Sequence, residues 1–185
     1  MDQARTMLKA AGNTPNLATA CKNISWVYYH EGRLPEALDA IEEAWKYAEL
    51  TNSPAIQAGV SLSFGMVLFS ANKDAEAWKQ IEIALMKASY TVDRFTIARA
   101  LEYMGYGYLR RGDYRNAYGA YEAAADGSVE AGLAARCKKN MARIKRKQGN
   151  PDIVVGFSRP GIDNDKTLFY PHVQASPSEL PISDS

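Results

Sequence analysis

Small and large apolar residues follow one another at helical spacing along this chain, and the pattern recurs at an interval of forty residues. In each copy, a small residue is followed twelve positions later by alanine and sixteen positions later by a large apolar residue. The three columns are Ser25, Gly65 and Gly105; Ala37, Ala77 and Ala117; and Ile41, Ile81 and Tyr121. Small residues let two helices approach closely, and large residues fill the space that remains. The pattern therefore predicts three helical hairpins that share one packing scheme.

The turn inside each predicted hairpin is marked by a residue that tolerates the left-handed conformation, Gly32, Asn72 or Gly112. Helix starts are indicated by Thr14-Pro15 and Ser53-Pro54, which pair an N-cap residue with a proline for the first turn. The predicted hairpins cover residues 14–53, 54–92 and 93–128.

The two ends of the chain differ from the hairpins. Residues 1–13 match the closing half of a hairpin without its first helix, so we expect either that the chain is the C-terminal part of a larger scaffold or sensor or that this N-terminal helix binds irregularly. Residues 129–148 fit a final amphipathic helix that caps the hairpins. Its apolar side is expected to hold Leu133, Cys137, Met141, Ile144 and Gln148. Residues 150–185 contain five prolines, and we expect a tail that docks in part and is disordered at its end.

The third copy, "LEYMGYGYLRRGDYRNAYGAYEAAA", resembles the tetratricopeptide repeat family. It has the small residue followed by an aromatic, the turn glycine, and the alanine followed by an aromatic that are typical of that family. The resemblance implies an all-α fold, a right-handed superhelical solenoid of about three repeats plus a capping helix over residues 14–149. The forty-residue period exceeds the usual thirty-four and resembles fungal arrays, some of which follow a nucleotide-binding oligomerisation module.

The resemblance also implies a concave groove lined by the first helix of each hairpin. Aromatic, methionine and basic residues occupy the expected positions. They are Lys22, Asn23, Trp26, Tyr29, His30, Met66, Phe69, Arg99, Tyr103, Tyr106 and Arg110. Such a surface suits a protein or peptide with apolar anchors and some acidic character. The alternative is that neighbouring hairpins or the tail cover these side chains.

Cochaperone members of the family clamp a C-terminal carboxylate with five polar residues. Only Lys22 and, loosely, Arg99 match those five positions, since Trp26, Ser63 and Tyr103 occupy the others. We therefore do not expect this chain to bind chaperone C-terminal tails.

Charge adds a second interpretation. The net charge is +1, but residues 131–150 carry seven basic and no acidic residues. These are Arg136, Lys138, Lys139, Arg143, Lys145, Arg146 and Lys147. A run of this kind can bind nucleic acid or an anionic membrane through residues 136–147. No aromatic residue is interleaved for base stacking, which argues against nucleic acid and favours the solvated face of a capping helix.

Catalytic signatures are absent from the sequence. It contains no phosphate-cradling glycine loop, no nucleophile elbow and no metal-ligand spacing, so we expect neither an enzyme nor a bound cofactor or metal. Cys21 and Cys137 stand alone, as is usual in a reducing compartment. The most apolar stretch, twelve residues from Val60, is too short to span a bilayer. We expect a cytoplasmic location, and the basic run also admits a nuclear one.

Overall fold

Seven α-helices joined by short connections make up residues 12–149, the part of the chain that the computed structural model describes, and this part contains no strand. They are α1 (Thr14–His30), α2 (Leu34–Glu49), α3 (Pro54–Ser70), α4 (Asp74–Thr91), α5 (Arg94–Arg110), α6 (Tyr114–Gly127) and α7 (Ala131–Gly149). The all-α prediction is confirmed for these residues. The half hairpin expected over residues 1–13, apart from its last two residues, and the tail expected over residues 150–185 lie outside the described residues.

The three residues that were predicted to form the turns adopt the left-handed backbone conformation. Gly32, Asn72 and Gly112 have φ angles of 74°, 58° and 72°, in the left-handed region that disfavours residues with a bulky Cβ. Each follows the first helix of a pair and reverses the chain within three residues. The prediction of a helix–turn–helix at these three places is therefore confirmed.

One of the two predicted N-caps lies one residue earlier than expected. Ser53 caps α3 as predicted, and its side chain accepts a hydrogen bond from the backbone N–H of Ile56 at 3.4 Å. Thr14 does not cap α1, because Asn13 takes that role and accepts from the N–H of Asn16 at 3.2 Å. Both residue types satisfy a free N–H of the first turn, so the sequence around the proline permits either choice.

The chain divides into two compact units at the boundary between Asp93 and Arg94. In the first unit α1 packs against α2, α2 against α3 and α3 against α4, and α1 also contacts α3. In the second unit α5 packs against α6 and α6 against α7, and α5 also contacts α7. Within each unit, then, neighbouring helices in sequence are neighbours in space.

The columns of small residues lie where the two helices of a pair meet. In the first pair, the Ser25 hydroxyl donates to the backbone carbonyl of Ala37 at 2.7 Å. In the second, a Cβ built on Gly65 would lie 2.5 Å from the Ile81 side chain and 3.2 Å from the Ala77 carbonyl oxygen. The alanines of the middle column are fully buried in all three pairs. The small residues are therefore required by the close approach of the two helices.

The core of the second unit is built around Tyr121, whose side chain is fully buried. It clusters with buried residues of α5, α6 and α7, and Tyr108 and Tyr114 pack against this cluster at its partly exposed edge. Tyr118 also packs there, so four of the six tyrosines between residues 103 and 121 contribute to this core. Most tyrosines of this stretch therefore pack against neighbouring helices of the second unit.

The buried side of α7 differs in part from the one predicted. Leu133, Cys137 and Ile144 are buried as expected, and Met141 is partly buried. Gln148 is exposed, and the prediction for this residue is wrong. Two polar residues that were not predicted, Asn140 and Lys147, are instead part of the buried side. The buried stripe thus follows steps of three and four residues to Lys147, one position before the residue that the apolar pattern indicated.

We predict that Gly105→Ala destabilises the second unit, whereas Gly119→Ala does not. A Cβ at position 105 would lie 2.9 Å from the ring of Tyr121, which has no space to move, whereas nothing lies within 4 Å of a Cβ at position 119. Overpacking of this kind costs about 1–3 kcal/mol, against a gain of about 0.5–1 kcal/mol when alanine replaces glycine inside a helix. Urea denaturation measures both changes. Equal stability of the two variants would contradict the close approach of α5 and α6.

Candidate binding surfaces

The exposed face of α1 carries three of the predicted groove residues on successive turns, Lys22, Trp26 and His30. The Trp26 side chain is 50% exposed, which is unusual for so large an apolar group, and the ring of His30 packs edge-on against it at 3.9 Å between centroids. Asn23, on the same helix, is exposed. We call Lys22, Trp26 and His30 the α1 face.

Burial has changed the acid–base properties of two members of the α1 face. Partial burial lowers the pKa of the Lys22 ammonium and that of the His30 imidazole from their usual values. No carboxylate among residues 12–149 pairs with Lys22. A half-buried cation that has no carboxylate partner among the described residues, one turn from an exposed tryptophan, favours the approach of an anionic group.

Three other predicted groove residues of the first unit are covered. Tyr29, Met66 and Phe69 are buried, and the Tyr29 hydroxyl lies 3.2 Å from the Ser70 hydroxyl, which ties α1 to α3. Helix α3 has eleven buried residues spread around its circumference, so its sequence does not reveal an exposed side. At these three positions the side chains are covered by other parts of the protein and do not line an open groove.

In the second unit the predicted groove residues lie on α5. Tyr103 is buried, whereas Tyr106 and Arg110 are partly exposed, and the Arg110 guanidinium lies 5.9 Å from the centre of the Tyr106 ring. Arg99 lies 5.7 Å from the Phe95 ring and forms an ion pair with Glu130 at 3.7 Å. Tyr106 and Arg110 are thus predicted groove residues of α5 that remain partly exposed. Together they place an aromatic ring next to a cation at the surface of this helix.

The basic helix α7 has an inner and an outer set of cations. Arg136 points inward, and its Nε and Nη2 atoms donate to the two carboxylate oxygens of Glu102 at 2.9 and 3.2 Å. Glu102 is only 1% exposed, and burial raises its pKa while the adjacent guanidinium opposes that rise. Lys147 is buried too, and burial lowers the pKa of the half-buried Arg143. For Arg136 and Lys147, the expectation of an exposed patch therefore needs correction.

The remaining four cations of α7 are exposed: Lys138, Lys139, Lys145 and Arg146. We call these four residues the basic strip. Within residues 12–149, Lys138, Lys139 and Arg146 have no carboxylate partner, and the Lys145 ammonium lies 5.1 Å above the ring of Tyr118. The patch predicted from the sequence is therefore reduced from seven residues to a strip of four, beside the half-buried Arg143.

The Glu102–Arg136 pair was not predicted. The two residues are 34 positions apart, and Glu102 occupies the column that holds Lys22 and Leu62 in the other copies. Neither hydrophobic spacing nor the local charge pattern relates them. Glu102 lies one turn from Arg99 and Tyr106, so its own helix face gave no signal that it is buried against α7.

Burial disfavours the ionised, nucleophilic forms of the Cys137 thiol and the Tyr121 phenol, which lie near this ion pair. Burial, with the Glu102 carboxylate as a smaller cause, raises the pKa of the Cys137 thiol to about 12, and burial raises the pKa of the Tyr121 phenol well above its usual value. Within residues 12–149 no three His, Cys, Asp or Glu side chains are grouped so that they could hold a metal ion. The arrangement of these groups is that of a packed core.

No family model matches the chain, and no curated protein sequence matches it. None of the helices described between residues 12 and 149 is long and apolar enough to cross a membrane. The interpretation of the surfaces therefore depends on their own geometry.

We predict that Arg136→Met destabilises the protein by about 3–5 kcal/mol at pH 7, because it leaves the buried Glu102 carboxylate without its partner. Arg146→Met, on the exposed side of the same helix, is the matched control and should change the stability by less than about 0.5 kcal/mol.

The loss in Arg136→Met should depend on pH. Without the guanidinium, the pKa of Glu102, already raised by burial, rises further above its unfolded value of about 4.3. A raised folded-state pKa favours folding at low pH, and that advantage disappears as the pH rises through it. The variant should therefore be closer to wild type at pH 4.5 than at pH 7 in chemical denaturation. A deficit that is the same at both pH values would contradict the ion-pair assignment.

Proposed function

We propose that this protein is a peptide-binding scaffold of the tetratricopeptide repeat type, an all-α solenoid of three hairpin repeats with α7 as its cap. Its ligand is a protein segment with an apolar anchor and acidic residues, and the α1 face takes part in binding it. The observation that carries this proposal is the half-exposed Trp26, which lies between a lysine (Lys22) and a histidine (His30) on the adjacent turns of α1.

The repeat assignment is supported by the equivalent burial of equivalent positions. Ala37, Ala77 and Ala117 are all fully buried, as are the large residues four positions further on. The left-handed residue between the two helices also recurs at an interval of forty residues. Helical hairpins that bury equivalent positions are the unit from which such arrays are built, and this equivalence supports the proposed repeat assignment.

The expected ligand chemistry follows from the α1 face. Tryptophan offers a large rigid surface whose ordering costs little entropy, so an apolar side chain of the ligand gains most by packing on Trp26. Lys22 lies one turn away, is partly buried, and has no carboxylate partner among the described residues. A ligand carboxylate placed beside it would recover part of the free energy that burial of the charge costs. The ligand is therefore a segment in which an Asp or Glu is close to a large apolar residue.

Tyr106 and Arg110 offer the same combination of an aromatic and a cation on α5. We treat them as a separate and weaker candidate surface of the second unit, since the Tyr106 side chain is only partly exposed. Catalysis is not part of the proposed function.

We predict that Trp26→Ala weakens peptide binding at least tenfold, about 1.4 kcal/mol, whereas Tyr90→Ala leaves it unchanged. Tyr90 is 76% exposed on α4 and serves as the matched loss of an exposed aromatic. The measurement begins with selection of 15-residue peptides from a random display library on the wild-type protein. Selected peptides are then titrated against both variants by calorimetry.

Selected peptides should be enriched in Asp or Glu near Trp, Phe or Leu, and their affinity should fall in Lys22→Gln more at low than at high salt. Circular dichroism first establishes that each variant keeps its helices. Selection of peptides whose affinity is the same for Trp26→Ala and wild type would remove the α1 face from the proposal.

A further inference from the structure

The basic strip on α7 is accompanied by a small apolar shelf. Tyr118 of α6 lies under the Lys145 ammonium, and Met141 precedes Lys145 by one helical turn. Both residues are half-buried and pack against the core of the second unit, which leaves part of each side chain at the surface. Cations next to a partly exposed aromatic and a methionine suit a ligand that has both carboxylates and aromatic side chains.

The sequence just beyond α7 contains such a segment. Residues 163–170 read "DNDKTLFY", with Asp163 and Asp165 followed by Leu168, Phe169 and Tyr170. Residues 151–185 as a whole carry five acidic and two basic residues. We propose that residues 163–170 of this chain dock on the basic strip and its shelf, with the aspartates at the lysines and an aromatic side chain on Tyr118 and Met141.

The connection has a suitable length. Lys138 lies eleven residues before Gly149, which is about 17 Å along a helix. A fully extended chain of thirteen residues, the number between Gly149 and Asp163, covers about 45 Å. The connection is therefore long enough for residues 163–170 to reach any residue of the basic strip.

Other occupants of the strip are less well matched to its chemistry. The apolar side of α7 is buried in the core, so the helix cannot insert that side into a membrane. Tyr118 is the ring that contacts a strip cation within the described residues, whereas single-stranded nucleic acid is held by several stacking rings. Duplex nucleic acid needs only the cations, and it therefore serves as the competitor in the test below.

Zero-length carbodiimide crosslinking of the full chain tests the proposal. Crosslinks are expected from Asp163 or Asp165 to Lys138, Lys139 or Lys145. Their yield should fall at least threefold in Phe169→Ala, because the aromatic anchor is lost, and should be unchanged in the matched tail variant Val173→Ala. Equal yields in the two variants would show that the aspartates only collide with the strip, and the proposal would be wrong.

Two further measurements distinguish the other occupants. In a mixture of ¹⁴N- and ¹⁵N-labelled chains, crosslinks within one label support the proposal, whereas mixed crosslinks would assign the strip to a second copy. A 20-base-pair DNA duplex at low salt should bind Asp163→Asn/Asp165→Asn/Phe169→Ala at least threefold more tightly than wild type, because the competing segment is lost. Equal affinity would show that the strip is open to outside polyanions and would overturn the proposal. Neither measurement involves the α1 face. The results therefore test the docking of residues 163–170 independently of the proposed peptide binding at the α1 face.

Discussion

The fold depends on how closely the two helices of each pair approach one another. At the point of contact one helix contributes a serine or glycine, and the other contributes an alanine followed by a large side chain. The Ser25 hydroxyl reaches the Ala37 carbonyl directly, and the space above Gly105 is filled by the Tyr121 ring. Because so little volume is free there, a single added methyl group is felt by both helices. The same constraint determines which side chains remain outside.

This packing also determines which side chains can contact other molecules. The first unit leaves Trp26 half-exposed between Lys22 and His30, and the second leaves four cations exposed on the outer side of α7. The inner side of α7 is held by an ion pair whose carboxylate is almost completely buried. A charge in such a place is stable only while its partner is present, so Arg136 acts as a structural residue although it lies in a basic run.

The sequence predicted best those features that depend on residue size and backbone conformation. Glycine or asparagine at the turns, and alanine at the contacts, have few alternatives, and each lies where it was expected. Residues whose burial depends on distant partners could not be predicted. Asn140 and Lys147 lie in the buried stripe of α7 as polar side chains, and Glu102 meets an arginine 34 residues away. In α3 the apolar pattern covers the whole helix, so the burial of Met66 and Phe69 was not visible from spacing.

The Glu102–Arg136 pair restricts where an additional hairpin could be inserted. An array of helical hairpins can lengthen by duplication, since each copy brings the contacts that the next one needs. Forty residues before Glu102 stands Leu62, a buried apolar residue that makes no such demand on the helix that follows. A copy inserted after residue 128 would displace α7 from α5 and would need an arginine at the position of Arg136. A hairpin added at that point would therefore leave the Glu102 carboxylate buried without its cation, whereas Leu62, at the equivalent position forty residues earlier, carries no charge that needs a partner.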